Sequence, residues 1–87
     1  MAGYDVHDFG TTLLAPGAEH WWDIWWGFSP YTFIWVTAQP MYKNTSIEVV
    51  GQYNWMDANG VVHHNYGVKN TGNNWAECRE ICVKGWP

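Results

Sequence analysis

Short runs of apolar or alternating residues, broken about every ten residues by turn-forming glycine, proline and asparagine, predict an all-β chain. The punctuation falls at Gly10, Pro16-Gly17, Gly27, Pro30, Pro40, Asn59-Gly60 and the tract Asn70-Thr71-Gly72-Asn73-Asn74. Between these signals lie candidate strands at Tyr4–Phe9, Thr11–Leu14, Glu19–Trp26, Tyr31–Ala38, Ser46–Met56, Val61–Lys69 and Trp75–Val83. About seven short antiparallel strands in one domain spanning 1–87 describe a small β-sandwich. The clearest hairpin sets Ile47, Val49, Gly51, Tyr53 and Trp55 on one face, turns at Asp57-Ala58-Asn59-Gly60, and returns with Val62, His64, Tyr66 and Val68. Asn59-Gly60 is expected to supply the positive φ angles of a tight hairpin.

The last segment has two readings. Asn74-Trp75-Ala76-Glu77 also fits a helix-capping box, with Gly85 and Pro87 as stop signals, so a C-terminal helical turn competes with a final strand. The strand is preferred on a resemblance. Tyr66 to Cys78 contains Val68-Lys69-Asn70-Thr71-Gly72, which resembles the Val-x-Asn-x-Gly turn near the end of many bacterial immunoglobulin-like β-sandwich modules. Leu14-Ala15-Pro16-Gly17 ahead of an aromatic strand is similar to the early edge of the same architecture. The resemblance implies the fold and a Gly turn into a last strand. It implies little about function, since such sandwiches serve as adhesins, carbohydrate-binding modules, enzyme accessories and filament subunits.

Composition narrows the function classes. Four Lys+Arg against eight Asp+Glu give a formal charge of −4, and Lys43, Lys69, Arg79 and Lys84 are scattered, which argues against nucleic acid and against a polybasic membrane anchor. An aromatic content of 18% supplies far more apolar surface than disordered chains carry. The uncharged stretch from Ile24 to Tyr42 contains Pro30 and Pro40 and does not read as a transmembrane segment. The first residues lack the pattern of a secretory signal, so an extracellular or cell-surface location is expected only if a leader has been removed.

Eight tryptophans exceed what one small core holds, so some are expected at the surface. In His20-Trp21-Trp22-Asp23-Ile24-Trp25-Trp26, a strand turns Trp22, Ile24 and Trp26 one way and Trp21, Asp23 and Trp25 the other. The second set is an aromatic surface beside a carboxylate, which suits the C–H face of a pyranose. Trp21, Trp25 and Asp23 are therefore the candidate ligand-binding residues, with Asn54 and Gln52 as hydroxyl partners and Asn65 and Asn73 as further polar candidates. The leading expectation is a lectin-like or carbohydrate-binding module. The alternative is a self-assembling structural subunit, a homo-oligomer in which the same tryptophans meet a neighbouring subunit. A third use is the membrane interface, with Trp25, Trp26, Phe28, Tyr31, Phe33 and Trp35 as the insertion set.

No enzyme is expected. No Gly-x-Ser-x-Gly elbow, phosphate loop or paired-carboxylate signature is present, and no cofactor is implied. Adjacent His63 and His64 point to opposite faces of a strand and cannot chelate one metal together. Cys78 and Cys82 would stand about 13 Å apart on a strand, too far for a disulfide, and read as small buried hydrophobes. Asn44-Thr45-Ser46 is a formal N-glycosylation sequon.

Overall fold

A computed structural model describes residues 3–25 and 33–86, which carry six strands and no helix. The strands are β1 (Gly3–Leu14), β2 (Glu19–Ile24), β3 (Phe33–Pro40), β4 (Ile47–Met56), β5 (Val62–Asn70) and β6 (Ala76–Trp86). They form two antiparallel three-stranded sheets, ordered β1-β6-β3 and β2-β5-β4. Leu14, Val36, Cys78 and Cys82 from the first sheet meet Tyr66 and Val68 from the second in a buried cluster, a sandwich-like arrangement.

Among the described residues, the separate strands expected at Tyr4–Phe9 and Thr11–Leu14 are one, because Gly10 bends the chain without turning it. Asp8 pairs with Ile81 and Gly10 with Glu80, so Phe9 is the extra residue of a bulge inside one long β1. Gly10 takes a φ of 86°, and its N–H is held by Asp8 Oδ1 at 2.8 Å. The bulge directs Phe9 onto the core, where it stacks on Tyr66.

The helical alternative for the last segment is likewise overturned. β6 is the central strand of its sheet, hydrogen-bonded to β1 on one side and β3 on the other. Two ladders satisfy its backbone groups, and that outweighs a local capping preference. Asn74 is engaged elsewhere, donating its amide to Asn44 O at 3.0 Å. Cys78 and Cys82, on the inward row of β6, are fully buried free thiols, and burial pushes Cys78 up to about 11.

A second bulge, between Val49 and Gly51, reverses the faces of β4. Before it, Ile47 and Val49 lie opposite the inward-facing Asn70 and Val68. After it, Gly51, Tyr53 and Trp55 lie opposite the outward-facing Gly67, Asn65 and His63. The single apolar face expected for this strand is thus split between core and surface. The hairpin turn also departs from the two-residue form, because only Gly60 has positive φ and Asp57 Oδ1 accepts the N–H groups of Asn59 and Val61.

Asn70 ties the layers together. Its Nδ2 donates to Leu14 O at 3.0 Å and Asn74 O at 2.8 Å, while its Oδ1 accepts Gly72 N–H at 3.0 Å. Its backbone exchanges bonds with Ala18 O and Gly17 N, both at 3.0 Å. One fully buried amide therefore joins the end of β1, the β1–β2 turn, the end of β5 and the approach to β6. On the other side, Gln52 of β4 reaches edge strand β3, its Oε1 accepting Val36 N–H at 3.3 Å and its Nε2 donating to Val36 O at 3.1 Å.

Asn70→Ala leaves the buried Leu14 carbonyl and two part-buried backbone groups, Asn74 O and Gly72 N–H, without their partner and is expected to cost about 2–3 kcal/mol. Thr71→Ala, which removes an exposed hydroxyl contact to Ser46, should stay within about 0.5 kcal/mol. Urea unfolding of both variants checks the contrast.

Candidate functional site

The outer face of the β2-β5-β4 sheet is built around two glycines. Trp21 of β2 lies opposite Gly67 of β5, which lies opposite Gly51 of β4. A Cβ at Gly67 would stand 2.3 Å from Trp21 Cε2, and one at Gly51 would stand 2.9 Å from Trp21 Cη2. The indole therefore rests directly on the backbone of two strands, a position that side chains at either site would block. Glu19 Oε2 accepts its Nε1–H at 2.9 Å, and Tyr53 sits beside it with ring centroids 6.1 Å apart. Trp21 remains 47% exposed.

A polar rail runs next to this aromatic floor. Asp23 lies opposite Asn65, whose amide donates to Asp23 Oδ1 at 3.4 Å. His63 stands between two carboxylates, with Nδ1 2.9 Å from Asp23 Oδ2 and Nε2 2.9 Å from Asp57 Oδ2. Trp55 stacks on the His63 ring with centroids 4.3 Å apart, and Trp25, 58% exposed, approaches its other neighbourhood at 6.3 Å. Asp57 holds both the hairpin turn and the imidazole, so the turn fixes the ring's orientation.

Both ring nitrogens facing carboxylate oxygens favour the imidazolium. The Asp57 hydrogen bond, then that of Asp23, raises the His63 pKa above the ordinary imidazole value of 6.5. Reciprocally, the bond to His63, then that from Val61 N–H, lowers Asp57 below 3.8. His64, one residue away, faces inward and goes the other way, because burial favours its neutral ring.

Trp21, Asp23 and Trp25 thus share the outer face. Gln52 and Asn54 do not: Gln52 is engaged with the Val36 backbone, and Asn54 Oδ1 accepts His64 Nδ1–H at 2.7 Å on the inner side. The bulge at Val49–Gly51 leaves them on the face opposite the tryptophans. Asn65 joins the rail, whereas Asn73 lies in the loop before β6. Sequence inspection missed Tyr53, Trp55, His63 and Asp57 as site residues. The alternation of Tyr53 and Trp55 with polar neighbours was visible, but it reads equally well as a core face.

Of the membrane-interface set, Trp26, Phe28 and Tyr31 lie outside the described residues. Trp25 and Trp35 belong to opposite outer faces of the sandwich, since Trp35 pairs with Val83 on the outer row of the other sheet. No described helix is long and apolar enough to cross a membrane. Among the described residues, no group of three or more His, Cys, Asp or Glu side chains is placed to hold a metal ion. Comparison with protein-family models, curated proteins and solved structures found no match to this chain.

Gly67→Ala forces the Trp21 ring off the sheet and is expected to cost about 1–3 kcal/mol, with the Trp21 indole N–H resonance displaced in NMR spectra. The carboxylate–imidazole clamp carries a pH signature. His63, with its folded pKa raised, contributes stability that is full below 6.5 and lost as pH rises through its folded value. Asp57, with its pKa lowered, contributes above 3.8 and is lost as pH falls through its folded value. Asp57→Asn should move the His63 titration, followed by imidazole NMR, towards 6.5 and reduce the alkaline part of this stability change, with Asp23 sustaining the remainder.

Proposed function

We propose that this outer face is a carbohydrate-binding platform and that the protein is a lectin-like, non-enzymatic binding module. The observation that carries the proposal is Trp21, laid flat across Gly51 and Gly67 with its free face towards solvent. A flat indole offers the apolar C–H face of a pyranose a matching π surface. Tyr53 extends that surface along β4, and Trp55 and Trp25 flank it at the far end. Asp23 and Asn65 supply an acceptor and an amide at the edge of the floor, in the part that sequence reasoning assigned to Asn54 and Gln52. Because the rings are held by backbone contact and stacking, little side-chain entropy is lost when a sugar docks.

A second reading, a self-assembling subunit, is favoured by a different face. On the outer side of the β1-β6-β3 sheet, Tyr4, Val6 and Trp35 are 70%, 62% and 65% exposed beside Ile81 and Val83. An apolar cluster of this kind is typical of subunit contacts.

Tryptophan fluorescence during titration with simple and polymeric sugars, run with light scattering for mass, separates the two. Saturable change at constant mass is the expected result, and Trp21→Ala should weaken it at least about tenfold while circular dichroism stays native. No response to any sugar, with a mass several times 10.1 kDa that Trp35→Ala reduces, would replace the platform by assembly.

A further inference from the structure

Between the two sheets, on the side where edge strands β1 and β2 face each other, lies a cleft of about 400 Å³. It shares Asp23 and Trp25 with the rim of the platform, and the rest of its lining is Phe9, Thr12, Trp22, Ile24 and Tyr66 with Glu80 as the buried carboxyl. Tyr66 packs near-parallel to Trp22, centroids 5.2 Å apart, and to Phe9 at 6.3 Å, so three rings run together along one side of the cleft. Glu80 is only 3% exposed.

The donors near Glu80 are already committed to it. Tyr66 OH donates to Glu80 Oε2 at 3.4 Å, Cys78 Sγ–H makes a long contact to Oε1 at 3.8 Å, and the Thr12 hydroxyl also bonds the carboxyl. Among the described residues, no lysine, arginine, asparagine or glutamine lines the cleft. Lys84, on the same inward row of β6, is four residues along the strand, about 13 Å away. The lining therefore sets aromatic rings beside a buried carboxyl, with His20, stacked on Trp22, as the basic group that acts on Glu80, and its hydroxyl donors are already engaged.

We propose that this cleft binds a small organic cation, a quaternary or fully alkylated ammonium group seated among the aromatic rings with Glu80 as its counter-ion. Aromatic faces attract such a cation through their quadrupoles, and the attraction strengthens where water is excluded. The volume falls within the range of small-molecule sites. Burial raises the Glu80 pKa, and a cation seated against the carboxyl would offset the desolvation that causes this. The proposal stands independently of carbohydrate binding, although Asp23 and Trp25 border both sites.

The test compares choline with its uncharged isostere 3,3-dimethyl-1-butanol, following the upfield ring-current shift of the methyl protons by NMR as protein is added. Choline should shift saturably, and the isostere should bind about tenfold more weakly or worse. Glu80→Gln keeps the side chain's shape and should reduce choline affinity by about tenfold, with the thermal midpoint measured alongside. Equal binding of choline and the isostere, no choline shift at all, or undiminished choline binding by folded Glu80→Gln would each overturn the proposal. The first two comparisons use the unaltered protein and decide the matter even if the variant fails to fold.

Discussion

A single buried amide, that of Asn70, governs how the two sheets meet. Every donor and acceptor it owns is used, and the groups it satisfies belong to the end of β1, the turn before β2, and the loop leading into β6. A polar side chain without exposure is tolerated only when its bonds are complete. Here completeness requires all three segments to be in place at once, so Asn70 specifies the packing of β5 against the opposite sheet. With that end anchored, the inward rows Tyr66–Val68 and Cys78–Cys82 meet across the core. At the opposite margin, the amide of Gln52 bonds to β3 in the manner of a neighbouring strand and joins the sheets there as well.

The two β-bulges then decide which aromatic residues are structural and which are presented. Gly10 lets Phe9 swing onto Tyr66, where it becomes a wall of the inter-sheet cleft. The irregularity at Val49–Gly51 sends Tyr53 and Trp55 outward, beside Trp21. β2 serves both sides because its alternation places Trp22 and Ile24 inward and Trp21 and Asp23 outward. One short edge strand thus supplies rings to a flat outer floor and to an inner cleft. The flat floor, with Asp23 and Asn65 along its edge, is the proposed sugar platform. The cleft, with a buried carboxyl and committed donors, is the site proposed for a cation.

Charge is arranged with the same economy. His63 bridges Asp23 of β2 and Asp57 of the β4–β5 turn, and both carboxylates favour the protonated ring. Its stack on Trp55 makes the clamp part of the aromatic floor. Any titration of His63 consequently alters the electrostatics of the same surface that carries the exposed rings.

The all-β class, most of the strand positions and the opposed faces of β2 were legible in the order of residues, because alternation and turn chemistry are local properties with a period the chain displays directly. The incompatibility of a disulfide with a strand at Cys78 and Cys82 was legible for the same reason. What local pattern left open was set by distant partners. Gly10 reads as a turn until Glu80 and Ile81 are seen to continue the ladder past it. Asn74-Trp75-Ala76-Glu77 reads as a helix start until β1 and β3 claim the backbone that follows. Gln52 and Asn54 read as ligands for the tryptophan face until the register of β4 on β5 turns them inward, since a one-residue shift exchanges the faces of a strand. The clamp was not legible because His63 meets Asp23 across 40 positions of chain, a contact that depends on the pairing of β2 with β5, although Asp57 lies only six residues from His63.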